Sequence, residues 1–292
     1  KATFKTSIKQ TEGDGNRHAR ISATVSGGGD LQKSGEGSLL IRDANFSGFT
    51  GDFVVTEGLL ALGQDEVIPK VSNVAISKGA KVTMYSQTMN QSIASLTGEG
   101  VWGMFYEGQE LHIGNNEASS PNKFEGQITG SGSIVKDGTN TLELSGSNTY
   151  TGSTTVESGI LQVTGSLSDS TAVTVESPAT YDVDSTDTIG SLAGAGSVDL
   201  ATGIMLTAGG DNSSTVFLGT MSGDGGFEKA GTGTTTFGVA NTYMGATNIK
   251  GGTLKVTGSL SDSTAVTVES GATYDVDSTD TIRSLAGAGS VD

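Results

Sequence analysis

The sequence predicts an all-β fold, a right-handed parallel β-helix, and three observations carry that prediction. Apolar and polar residues alternate in short runs such as Ala172–Val175 and Thr253–Val256, the period-two signature of strands with one buried side. Glycine is abundant, 45 of 292 residues against 3 prolines, and it falls between those runs. The third observation is duplication. Val163–Asp199 returns 93 residues later as Val256–Asp292, changed only by Gly271 for Pro178 and Arg283 for Gly190.

The duplication reaches further than that block. Gly130–Leu167 aligns with Gly223–Leu260, and an older copy sits at Gly29–Leu62. Its continuation, Val74–Val101, keeps Ile93, Leu96, Gly98 and Gly100 where the later copy has Ile189, Leu192, Gly194 and Gly196. The chain thus reads as one β-helix over residues 1–292, with repeat units at approximately 27–102, 130–199 and 223–292. A unit of 93 residues is too long for one solenoid coil. It divides into several coils of roughly 20 residues, about a dozen in the whole chain.

Each element follows from that plan. Val173, Val175, Tyr181 and Val183 fall on the inward positions, and the Thr and Ser between them face water. Gly138, Gly152 and Gly159, with their counterparts Gly231, Gly245 and Gly252, stand at corners, where positive φ is expected. Asn148 and Asn241 precede a Tyr and suit turns, with side chains stacking from coil to coil. A Greek-key sandwich also uses short strands and Gly turns. It does not explain a near-exact internal copy, whereas a solenoid lengthens by adding coils.

Composition narrows the function classes. Aromatic residues make up 5% of the chain, so the core is built from Val, Ile, Leu, Ala and Thr in layers. There is no cysteine, so no disulfide framework contributes. No apolar run is long enough for a membrane-spanning helix. A net charge of −16 argues against nucleic acid and other polyanions as partners.

The block Gly132–Val163 (GSIVKDGTNTLELSGSNTYTGSTTVESGILQV) resembles the passenger-associated β-strand repeat of autotransporters, of the AIDA type. The shared elements are a G-x-L-x-K-x-G-x-x-T-L-x-L core and then N-x-Y-T-G-x-T-x-V-x-x-G-x-L-x-V. Phe227–Val256 retains Lys229, Gly231, Asn241, Tyr243, Gly245, Gly252 and Leu254, with Met244 for Thr151 and Phe237 for Leu144. The first copy keeps Lys33, Gly35, Leu39, Ile41, Asn45, Gly51, Gly58 and Leu60. The resemblance implies a protein on the surface of a Gram-negative bacterium. It implies an adhesive, aggregating or biofilm-forming role, with another copy of itself, host surface molecules or extracellular matrix as partner. Membrane attachment would run through a C-terminal β-barrel. That barrel and a signal peptide are not in this sequence, which reads as part of a longer passenger with a further coil expected after Asp292.

Catalytic chemistry finds little support. Two histidines, His18 and His112, lie in unrelated contexts, and neither G-x-S-x-G nor G-D-S-G-S occurs. Asp182, Asp184 and Asp187, repeated as Asp275, Asp277 and Asp280, form an acidic candidate face. Asp182 and Asp184 share one side of a strand, and β-helix polysaccharide-cleaving enzymes use such clusters. A solvated outer face with turn-forming Asp is the plainer reading. No calcium nonapeptide or EF-hand loop is present, and no cofactor or metal is expected. Gly27–Gly29 and Gly194–Gly196 read as corners, not phosphate cradles.

Two surface features remain. Trp102, Phe105 and Tyr106 concentrate aromatics in Val101–Glu110, and form a candidate contact patch or a loop packed on the coil. Charge is uneven: no Lys or Arg lies between Lys136 and Lys229, while the first 33 residues hold Lys1, Lys5, Lys9, Arg17, Arg20 and Lys33. This suits a solubilising surface, or a salt-sensitive contact between passengers. A stalk displaying an upstream domain is the alternative function, and a β-helix carbohydrate-active enzyme the third.

Overall fold

The structure, a computed structural model, describes residues 2–5, 19–114 and 122–292. Every regular element among them is a β-strand, and every assigned strand pair is parallel. The chain is a β-solenoid, which removes the sandwich alternative, since that fold is built from antiparallel pairs. It forms two compact units, Lys1–Gly152 and Ser153–Asp292. The division falls inside the second sequence repeat.

In the first unit three ladders wind round the coil. One contains Leu31–Ser34, Phe53–Val55, Asn73–Ile76 and Ser95–Gly98. The next contains Ser38–Ile41, Leu59–Leu62, Lys81–Met84, Val101–Met104 and Gln127–Gly130. The third contains Thr88–Ile93, Gly108–Ile113 and Ser133–Lys136. A short side sheet pairs Thr24–Gly27 with Asn45–Phe49.

The second unit repeats the three-sided plan. Its first face carries Thr154–Val156, Ala172–Val175, Ser191–Gly194, Thr215–Phe217, Thr234–Phe237, Thr253–Val256, Thr273–Val276 and Ser290–Val291. The second carries Ile160–Val163, Thr180–Val183, Ser197–Leu200 and Met221–Gly223. The third carries Asp187–Ile189, Met205–Ala208, Gly226–Lys229, Thr247–Ile249, Ala265–Val268 and Ser284–Gly287. Stacked partners lie from 17 residues apart (Thr180 beside Ser197) to 23 (Gly194 beside Phe217), close to the coil length expected from sequence.

Alternation works as anticipated. Val173, Val175, Tyr181 and Val183 are fully buried, and the residues between them are partly exposed. Each buried Val or Leu contributes about 1.5–3 kcal/mol relative to exposure. Larger side chains also enter the core, including Phe227 and Phe237 with ring centroids 5.1 Å apart.

The corners use glycine in two ways. Gly98 and Gly194 have φ of 99° and 107°, and a Cβ on either would lie 2.2 or 2.1 Å from the carbonyl oxygen of Ile76 or Val175. Gly152 and Gly245 were expected to need positive φ and do not have it. They are glycine because the preceding coil passes too close: a Cβ would sit 2.3 Å from Gly132 O or Gly225 O.

Candidate interaction surface

The aromatic cluster separates into core and surface. Trp102 is fully buried between its register partners Val82 and Ile128, so it offers nothing to a contact patch. Phe105 and Tyr106, in the turn after Val101–Met104, are 60% and 42% exposed. Met84 and Met104 are register partners, so Tyr85, 47% exposed, follows at the position that Phe105 takes one coil later. The two turns are tied together by buried Gln109. Its amide donates to Met84 O at 3.0 Å and Ser86 O at 2.6 Å, and its oxygen accepts from Tyr106 N at 3.2 Å. The surface group is therefore Tyr85, Phe105 and Tyr106. Tyr85 and Gln109 escape a sequence reading because only coil register brings them beside the patch.

The acidic triplet also divides. Asp182 lies outward on the second face, beside Asp199 of the next coil. Partial burial, with Asp184 and Asp199 nearby, raises its carboxyl above the usual range. Asp184 is exposed and accepts from Gln162 Nε2 at 2.7 Å. Asp187 does not join this face, because it points inward on the third. Its carboxylate accepts from Leu167 N at 3.0 Å and from Thr188 N at 3.0 Å. Burial pushes it up to about 6 against those hydrogen bonds. In the second copy Lys255 replaces Gln162 and forms ion pairs with Asp275, at 2.8 Å, and with Asp277. Among the described residues, no group of three His, Cys, Asp or Glu side chains is arranged to hold a metal ion.

His112 lies between Glu110, 3.6 Å from Nε2, and Asp137, 3.8 Å from Nδ1. A hydrogen bond with Asp137 raises its pKa above the ordinary value, against partial desolvation. Its strand neighbours in register are Ser92 and Val135, and Ser92 Oγ donates to Glu66 at 2.7 Å. His18 and the basic residues Lys1, Lys9 and Arg17 lie outside the described residues, as does the side chain of Lys5. Next to the side sheet, Phe46, Gln64, Glu66 and Pro69 border a cleft of about 280 Å³. Its polar groups serve the fold, since Gln64 bonds both backbone groups of Ala44.

Two recurring devices were legible as motif letters but not as chemistry. The first is a buried lysine. Lys33, Lys136 and Lys229 are fully buried, each two residues before a corner glycine. Lys33 Nζ donates to the carbonyls of Ser34, Gly35 and Glu57 at 3.2, 2.6 and 2.9 Å. Lys229 Nζ reaches Ala230, Gly231 and Gly251 at 2.5, 3.2 and 3.2 Å. Lys136 Nζ reaches Asp137 and Gly138 at 3.1 and 2.8 Å, and burial pushes it down to about 8. Each ammonium gathers corner carbonyls that the ladders leave over.

The second device is a side-chain clamp to the coil below. Asn122, Asn148 and Asn241 accept from Leu96 N, Ile128 N and Met221 N at 2.9, 3.0 and 2.9 Å. Asp280 accepts from Leu260 N at 3.0 Å, as Asp187 does from Leu167 N. The expected Asn-on-Asn ladders are not how these residues work. They bond to the preceding coil's backbone, because there the strand gives way to a turn and its N–H lacks a ladder partner.

The comparisons follow the same positions. The model of the family described as passenger-associated-transport-repeat matches residues 134–163 and 227–256, which contain the buried Lys136 and Lys229, the clamps Asn148 and Asn241, and the corner glycines Gly152 and Gly245. These two stretches carry the passenger-associated repeat of autotransporters. Over 183 residues, 57% of this chain, it is 34% identical to the adhesin BmaC autotransporter of Brucella suis biovar 1 (strain 1330). The matched stretch spans 5% of that adhesin's length. No solved structure matches. A passenger is carried across the outer membrane of a Gram-negative bacterium, and this one is exposed at the cell surface.

Proposed function

We propose that this passenger segment is non-catalytic and adhesive, binding a neighbouring copy of itself or a host surface through many weak polar contacts. The observation that carries the reading is the 34% identity to an autotransporter adhesin. The outer faces support it, because their ladders present Thr, Asp, Gln and Asn side chains coil after coil, as in Gln162, Asp182 and Asp199. Weak contacts of this kind become strong attachment when many copies act together. Two titratable groups are engaged by the fold: Asp187 clamps a coil and His112 is paired with carboxylates.

Deleting the segment from the full-length protein displayed on bacteria should slow their settling or lower their binding to matrix-coated surfaces. Phe105→Ala with Tyr106→Ala should reduce the same attachment without changing the melting temperature, since both side chains are exposed. Attachment at the undiminished level in both experiments would sink the adhesive reading and leave the stalk, which the near-exact duplication favours. If a basic region on one passenger meets the acidic stretch of another, attachment should weaken as salt rises from low to high ionic strength. Salt-independent attachment would remove that electrostatic version. Reducing ends released from a polysaccharide panel would instead establish an enzyme.

A further inference from the structure

The repeated block does not return to the face it started from. Within the second unit, Thr154–Val156 and Ala172–Val175 lie on the first face, while their copies Thr247–Ile249 and Ala265–Val268 lie on the third. Ile160–Val163 and Thr180–Val183 lie on the second face, and their copies Thr253–Val256 and Thr273–Val276 on the first. The backbone clamp moves as well. Asp187 holds Leu167 on the third face, and Asp280 holds Leu260, which continues the second face through the bridge of Ala240 with Ser259. From Thr154 to Thr247 the chain passes four complete coils of three faces and then two further faces.

We infer that the 93-residue repeat is a face-stepping unit, which displays one outward chemistry in a new direction with each copy. Its length corresponds to fourteen strand positions, a number that three faces do not divide. A solenoid tolerates this because nothing in the corner chemistry belongs to one face. Lys229 on the third face caps its corner as a buried lysine, and Asn241 clamps Met221 on the second. Three successive copies of this length would show the same outward side chains on all three faces. The acidic pair illustrates the effect, with Asp182 outward on the second face and Asp275 on the first. A partner that reads the repeat's surface therefore meets it from several sides, not along one stripe. This holds whether or not the partner is adhesive.

Spin labels distinguish stepping from stacking. Thr155 and Thr236 are not sequence equivalents, but both lie on the first face, four coils apart. Thr155 and Asn248 are equivalents on different faces. With cysteines at the first pair, the label separation should be about 19 Å, four strand spacings. The pair Thr155→Cys with Asn248→Cys should be clearly longer, because it also crosses the coil. Thr174→Cys with Lys255→Cys against Thr174→Cys with Thr267→Cys gives an independent second comparison. Equal separations, or a shorter separation between the equivalents, in folded protein would overturn the inference.

Discussion

At the scale of single residues, the polar side chains that matter most are those turned inward. Asn241 is buried and accepts from Met221 N, so Asn241→Ala should leave that N–H unpaired and cost about 1–3 kcal/mol. Denaturant melts would check it, with outward Thr236→Ala, expected within about 0.5 kcal/mol, as the control. Asp187 adds a pH signature. Burial lifts its folded pKa to about 6 from an ordinary 3.8, so the folded state holds the proton across that window. Its contribution is therefore fully present below about pH 4 and is lost as pH rises through about 6, a swing on the order of 3 kcal/mol. Asp187→Asn keeps an acceptor for Leu167 N and should remove this slope between pH 4 and 7. A variant with the wild-type pH profile would show that Asp187 is not the titrating group. His112 acts with the opposite ordering of charge: its raised pKa gives stability present below its unfolded pKa and lost as pH rises through the folded one. The sequence shows Asp182 and Asp187 as members of one acidic run. It does not show that one faces water and the other the core, because the chain turns a corner between them. Trp102 was misplaced for a related reason, since aromatic clustering in sequence says nothing about which side of the strand each ring takes.

At the scale of elements, the strands and corners were the legible part. Alternation marked Ala172–Val175 and Thr180–Val183, and the register confirms Val173 and Tyr181 as inward. The corners were half legible. Glycine was seen, but close passage of the coil below, which explains Gly152, depends on tertiary stacking. Two glycines of the second unit make the point testable. Gly194→Ala meets Val175 O at 2.1 Å with φ at 107°, whereas Gly203 has φ at 78° and open space around it. Gly194→Ala should destabilise by several kcal/mol and Gly203→Ala by about 1 kcal/mol. Equal melting temperatures for the two variants would contradict the stacking distances. Leu192 is buried under the next coil, and Leu192→Ala should cost about 2–5 kcal/mol.

At the scale of the whole molecule, stability and display come from one arrangement. Inward Val, Leu, Phe and clamp residues hold each coil on the last, which frees the outward positions to vary. That division explains how Gln162 in one copy becomes Lys255 in the other, exchanging a neutral contact for ion pairs, with no change in the strand behind it. Everything proposed for the surface depends on parallel coils stacked in this register. The most direct test is a disulfide between Thr174→Cys and Ala193→Cys, outward register partners on neighbouring coils of the first face. Parallel strands about 4.8 Å apart place their Cα atoms within disulfide reach. Ready oxidation to an intramolecular bond, blocked when Ala193→Cys is replaced by an outward cysteine on the third face at Thr207, is the expected result. Failure to bridge in folded protein, or equal bridging to Thr207→Cys, would contradict the stacked three-sided coil.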